Sequence, residues 1–180
     1  LMDLLKNPSL RTIYLLTALH VSAWEMFSFL VPVYGKGIGL SASSIGLILG
    51  AFASATFFVR IILPVFSHRF PPLTLIRSSL VLAGGLSVLF PLATSVPVLM
   101  LLGFVLGMGL GVTQPLAMSV LHEATPANRT GEAFGLRTAV VNLSGTTTPL
   151  IFGAAGNVFG MLPVFWGIAV AVWLSTWALS

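Results

Sequence analysis

From Pro97 to Leu121 the chain reads Pro-Val-Leu-Met-Leu-Leu-Gly-Phe-Val-Leu-Gly-Met-Gly-Leu-Gly-Val-Thr-Gln-Pro-Leu-Ala-Met-Ser-Val-Leu. Nothing in this stretch is charged. A helix needs roughly 20 apolar residues to cross a hydrocarbon layer about 30 Å thick, and this run is long enough. Working outward from it, further apolar runs give expected spans at about 11–33, 43–66, 74–93, 97–121, 133–156 and 161–179. Composition agrees: of 180 residues 57% are hydrophobic and 7% charged, against about 25% charged in an ordinary soluble domain. The surface must therefore face lipid. The expected fold is an all-α membrane protein, a single bundle of six transmembrane helices over residues 1–180.

Turn residues separate the runs: Gly35-Lys36-Gly37, Ser67 to Pro72, Thr94 to Pro97, Glu123 to Gly131 and Gly156 to Gly160. Lysines and arginines concentrate in cytoplasmic loops. Lys6, Arg11, Arg69, Arg77 and Arg129 fall on one side, with Arg60 and Arg137 just inside helices at that face, and Lys36 stands alone opposite. Both termini are therefore expected in the cytoplasm. With that orientation the sequons at Asn128 and Asn142 fall in a cytoplasmic loop and inside the membrane, so neither is expected to be glycosylated. The formal charge of +4 comes from scattered loop cations, not a basic stripe, so no nucleic-acid partner is expected. Cysteine is absent, which removes disulfides and thiolate metal sites. The first residue is Leu1 with no cleavable signal, and a beginning upstream is expected.

The fourth span carries Gly103, Gly107 and Gly111 at four-residue spacing, with Gly109 beside them. In lipid, small residues let helices approach closely where burial of leucine gains little. Gly46, Gly50 and Ala53 offer a similar stripe on the second span, and Gly153, Gly156 and Gly160 on the fifth. Such stripes either pack helices permanently or let them slide, and both readings remain open.

The cytoplasmic loops carry a resemblance. After the second span the chain reads Pro64-Val-Phe-Ser-His68-Arg69-Phe70-Pro71-Pro72. This resembles the glycine-aspartate-arginine-phenylalanine-glycine loop motif of the major facilitator superfamily. Arg69 and Phe70 match, His68 stands where the acid belongs, and Pro64 and Pro71 replace glycines. After the fourth span, Glu123-Ala-Thr-Pro126-Ala-Asn-Arg129-Thr-Gly131-Glu132-Ala133-Phe-Gly135 is similar to the family's loop between helices ten and eleven. Gly145, Pro149, Gly153 and Gly156 look like a broken antiporter glycine-proline motif. The resemblance implies the C-terminal six-helix half of a twelve-helix carrier, built of two inverted three-helix repeats. It implies secondary transport of a small solute by alternating access, with proton-coupled efflux as the preferred version and uptake by symport left open. The implied partners are the lipid bilayer, the solute, protons and the N-terminal six-helix half. A bacterial inner membrane is the implied setting, and no cofactor or metal is implied.

Ionisable residues inside a span are functional candidates, because a charge there costs several kcal/mol. Glu25 leads. About fourteen residues from Arg11, it lies roughly 21 Å along a helix, past the midplane. It is expected to carry the coupling proton or pair with a cationic substrate; the alternative is a glutamate that ties helices together. Ser22, Ser28 and Phe29 share its face by spacing, and His20 does not. Gln114 precedes Pro115, which frees a backbone carbonyl that the glutamine can satisfy, unless it binds solute. Asn142, Ser144 and Thr146 to Thr148 either line a pathway or bond helices, while Trp24, Phe27 and Phe29 shape an apolar cavity or merely pack. Arg60 is expected to pair with Glu123 or Glu132 in a cytoplasmic gate, and Arg129 to bridge to Glu123. His20 reads as a hydrogen-bonded helix histidine and His122 as a loop residue.

Enzyme readings fare poorly. Asn142-Leu-Ser144-Gly145 lacks the first glycine of an intramembrane serine protease, and His122-Glu123-Ala-Thr-Pro126 has proline where a zinc protease needs its second histidine. A half-size protein that homodimerises into a carrier or channel is the remaining alternative.

Overall fold

A computed structural model describes residues 6–66 and 69–178. The helices are α1 (Pro8–Gly37), α2 (Ala42–Phe66), α3 (Pro72–Leu89), α4 (Val96–Ala124), α5 (Thr130–Phe159) and α6 (Met161–Ala178). Short 3-10 turns at Phe90–Leu92 and Ala127–Arg129 precede α4 and α5. No strand occurs among the described residues. His68 lies outside them.

Local chemistry sets the helix ends. Asn7 caps α1, its side-chain oxygen accepting from the Ser9 amide at 3.0 Å, and Pro8 follows at the first turn, where its missing N–H costs nothing. The far end of α1 departs from expectation. Gly35, Lys36 and Gly37 remain helical, and the turn comes at Gly39, whose φ of 82° is the left-handed conformation glycine adopts without penalty. The Leu40 amide bonds the Gly35 carbonyl at 2.8 Å and the Gly39 amide bonds Lys36 at 3.1 Å, a Schellman closure that satisfies the last carbonyls. Similarly, α5 continues to Phe159, and Gly160 alone, at φ 83°, makes the turn into α6. α4 runs on through His122 and Glu123, which therefore lie in its last turn and not in the loop.

α1, α2, α4, and α3 together with its following turn are long and apolar enough to cross a membrane. α5 is 30 residues long but diluted by Arg137, Asn142, Ser144 and Thr146 to Thr148. The outer surface is apolar: Phe57, Phe58, Ile61 and Val65 on α2 and Leu143, Leu150 and Ile151 on α5 are all exposed.

α4 packs most extensively against α2 and α3, α1 packs along α5 and α4, and α6 lies against α3. The glycine stripe explains the first of these contacts. A Cβ on Gly107 would run into the Phe52 carbonyl, one on Gly111 would come within 2.6 Å of Val59 Cγ1, and one on Gly103 within 3.1 Å of Phe27. The helices meet there nearly backbone to backbone. The expected companion stripe meets no helix among the described residues: a Cβ at Gly46 or Gly50 would meet nothing within 4 Å, and Ala53 is exposed. These residues face away from the α4 seam, which α2 meets with Ile48, Phe52, Ala55 and Thr56 instead. An unexpected close contact is Gly84 on α3, over which the Trp173 indole lies while its Nε1 donates to the Val81 carbonyl at 3.0 Å.

Inside, Phe27 stacks on Phe52, and Phe90 stacks on Phe165 at 5.7 Å. Tyr34 donates to the Pro91 and Ala93 carbonyls at 3.0 and 2.9 Å, pinning α1 to the turn that precedes α4.

Candidate functional site

α1 and α5 are joined by polar groups. Tyr14 donates to the Ala133 carbonyl at 3.3 Å, and Thr148 donates to Ser22 Oγ at 3.0 Å. Ser22 thus ties helices and does not line the cavity beside Glu25. Gly145 lets α5 pass alongside Glu25: a Cβ there would lie 4.0 Å from Glu25 Oε1. Pro149, four residues later, has no N–H to return to the Gly145 carbonyl, so that acceptor is released from the helix ladder.

Between α1, α4 and α5 lies a cavity of about 150 Å³ lined by His20, Val21, Trp24, Glu25, Gln114, Arg137 and Val141. The structure brings Glu25, Trp24 and Gln114 to one cavity and adds two groups that spacing had set aside. His20 is only 5% exposed and its Nδ1 has no partner, which corrects the expectation of a hydrogen-bonded histidine on another face. Arg137 is only 8% exposed, its Nε is buried without an acceptor, and it makes no hydrogen bond or ion pair among the described residues. Sequence reasoning had treated Arg137 as a marker of sidedness. The missed signal was its place seven residues into α5, beyond easy reach of the helix end. Val141, not Asn142, forms the α5 wall; Asn142 is exposed and outside the cavity.

Glu25 lies near the middle of α1, and its neighbours His20, Gln114 and Arg137 all lie toward the end where α1 and α5 begin and α4 finishes. Helical side chains lean toward their own N-terminus, which brings the Glu25 carboxyl down to that level.

Trp24 separates this cavity from a neighbour of about 420 Å³ bounded by Ser28, Phe52, Thr56 and Arg60. The Trp24 ring meets Phe52 edge-on at 4.8 Å. Ser28 therefore serves the second cavity, and Phe29 packs against Gly153, where a Cβ would approach to 3.3 Å.

Arg60 corrects the gate expectation. Its Nη2 donates to Gln114 Oε1 at 2.9 Å and its Nε to the Gly111 carbonyl at 3.4 Å, instead of reaching Glu123 or Glu132. The reason is Pro115: without an N–H it leaves the Gly111 carbonyl four residues back unclaimed, and the guanidinium takes it. Gln114, expected either to satisfy that carbonyl or to bind solute, is itself held by the arginine. At the bundle end Arg129 pairs with Glu132 at 2.6 Å, and Ser119 donates to Glu123 at 3.1 Å. Glu123 also lines a cavity of about 500 Å³ with Arg77, Pro8 and Thr12, where α1, α3 and α4 meet. Arg69 is exposed between α2 and α3.

A family model described as Major Facilitator Superfamily matches residues 13–179. The chain belongs to the Major Facilitator Superfamily. Quinolone resistance protein NorA of Staphylococcus aureus (strain MRSA252) is 25% identical over 142 residues, covering 79% of this chain and 37% of that protein. Probable sulfoacetate transporter SauU of Cupriavidus necator is 31% identical over 133 residues, covering 72% of this chain and 31% of that protein. The chain matches only about a third of the length of these relatives. Superfamily membership and the apolar helices together make it a multi-pass integral membrane protein, of a transporter family and not of an enzyme family.

Proposed function

We propose that this superfamily chain is one six-helix half of a secondary carrier, equivalent to helices seven to twelve, that moves a small solute by alternating access. In this reading α1–α3 and α4–α6 are the inverted repeats, all six helices cross the membrane, and both termini are cytoplasmic because the basic residues cluster at that end. A second six-helix half covers the face on which Gln114 and Asn142 are exposed. The setting is a bacterial inner membrane.

Glu25 is the proposed proton carrier. The observation that carries the reading is its position: a lone carboxylate lining a cavity well inside the bundle of a superfamily protein. Gly145 on α5 leaves open space beside the Glu25 carboxyl group, and His20, Gln114 and Arg137 share the same cavity. Export against protons is the preferred direction, supported by the resistance function in the name of NorA.

The test uses the intact carrier in oriented vesicles with an imposed pH gradient and a solute panel that includes a quinolone and sulfoacetate. Glu25→Gln should cut gradient-driven accumulation by at least about tenfold, roughly 1.4 kcal/mol in the driving step, while the protein remains folded in the membrane. Accumulation with an unchanged pH profile in the variant would remove Glu25 from the coupling role. Solute movement down the proton gradient instead of against it would make the carrier an importer.

A further inference from the structure

We propose that the cavity between α1, α4 and α5 is a subsite for an oxyanion, such as the carboxylate of the transported solute, held by Arg137 and Gln114; this rests on the carrier reading above. The lining supplies donors in excess. Arg137 offers a fork of N–H groups, none engaged by a protein acceptor among the described residues. Gln114 has its Oε1 occupied by Arg60, so the group it has left to offer is its NH2. Arg60 adds a second positive charge directly behind that amide.

Glu25 is the single carboxylate in the lining, and it makes no hydrogen bond or ion pair among the described residues. This decides between a structural and a ligand-binding arginine. A guanidinium placed only to hold helices would be expected to pair with the carboxylate sharing its cavity, because a buried charge left alone is costly. The fold brings the two groups to one cavity and leaves them unpaired. A cationic solute there would face Arg137, with Arg60 behind it, against one acid. An anionic group meets a planar donor fork, the geometry that recognises carboxylates.

Size limits what enters. A cavity near 150 Å³ takes a benzene-sized group, so it holds one end of a solute and not a whole drug-sized molecule.

The probes are benzoate, its neutral isostere benzamide, and benzylammonium, with equilibrium binding measured on the intact carrier in detergent. Benzoate should bind at least about tenfold more tightly than benzamide, the advantage of a charge-assisted pair over a neutral one, and benzylammonium should bind more weakly than either. Arg137→Gln should erase the preference, Arg137→Lys should retain part of it, and Lys36→Gln, at the far end of α1, should keep all of it. If Arg137→Gln does not fold, the wild-type ratio of benzoate to benzamide still decides. Equal binding, preference for benzylammonium, no benzoate binding, or selectivity that survives Arg137→Gln would overturn the assignment. Binding in detergent needs no turnover, so the two readings fail separately. Solute flux without benzoate selectivity leaves the carrier and removes the subsite; selectivity without flux does the reverse.

Discussion

The seam between α2 and α4 and the seam between α1 and α5 use different materials for the same task of joining two helices. Along α4, Gly103, Gly107 and Gly111 bring its backbone against Phe52, Thr56 and Val59, and the polar groups present are satisfied locally: Thr56 donates to Phe52 and Gly107 carbonyls at 2.9 and 3.4 Å. Along α1 and α5, apolar packing of Leu10, Ile13 and Phe29 against Ala133, Phe134 and Gly153 is joined by two interhelical hydrogen bonds, Tyr14 to Ala133 and Thr148 to Ser22, with a cavity between the helices that holds unpartnered groups. A closed seam with nothing unsatisfied serves packing. A seam that keeps His20, Glu25 and Arg137 unclaimed has capacity for a ligand or proton. The glycines and the charged residues therefore answer different questions, and the packing reading of the α4 stripe is the one the contacts favour.

The strongest way to break this comparison is to load the closed seam. Gly107→Val should destabilise the bundle by about 1–3 kcal/mol, the usual cost of overpacking, and lower the yield of folded protein in the membrane, measured by detergent-resistant monodisperse material. A lesser perturbation belongs to the polar seam: Ser22→Ala removes the Thr148 bond and should cost about 0.6 kcal/mol, as typical for interhelical bonds in membranes, read as a small drop in thermal midpoint. Gly50→Ala sharpens the contrast from the other side. With nothing within 4 Å of the added methyl, its midpoint should not fall; a loss equal to that of Gly107→Val would mean that α2 packs through a different face.

Much of this was legible in the sequence. The helical, apolar character was readable, because a bilayer demands length and hydropathy that composition displays directly. The ends were less so: Gly35 and Gly37 look like turn formers, yet only Gly39 takes the left-handed conformation, and one chain cannot tell which glycine will. The α4 stripe was readable because spacing alone places three small residues on one side. The Gly46 stripe obeyed the same rule and meets no helix among the described residues, since spacing defines a face but not its neighbour. In the site, Glu25, Trp24 and Gln114 were found by their polarity or ring inside a span. His20 and Arg137 were set aside because face arithmetic on one helix cannot show what a second helix brings to the same cavity. Arg60 was assigned the wrong partner for a related reason: a carbonyl released by Pro115 is invisible until α2 and α4 are packed.

Thiol labelling tests the contrast between the two seams most directly. The chain contains no cysteine, so a single introduced thiol reports its own surroundings within it. Val141→Cys on the cavity wall and Ile48→Cys beside Gly103 would each be exposed to a small membrane-impermeant thiosulfonate in the intact carrier. Val141→Cys should be modified and benzoate should slow its modification, while Ile48→Cys should stay inert. Equal reactivity at both positions, or an inert Val141→Cys, would contradict that contrast.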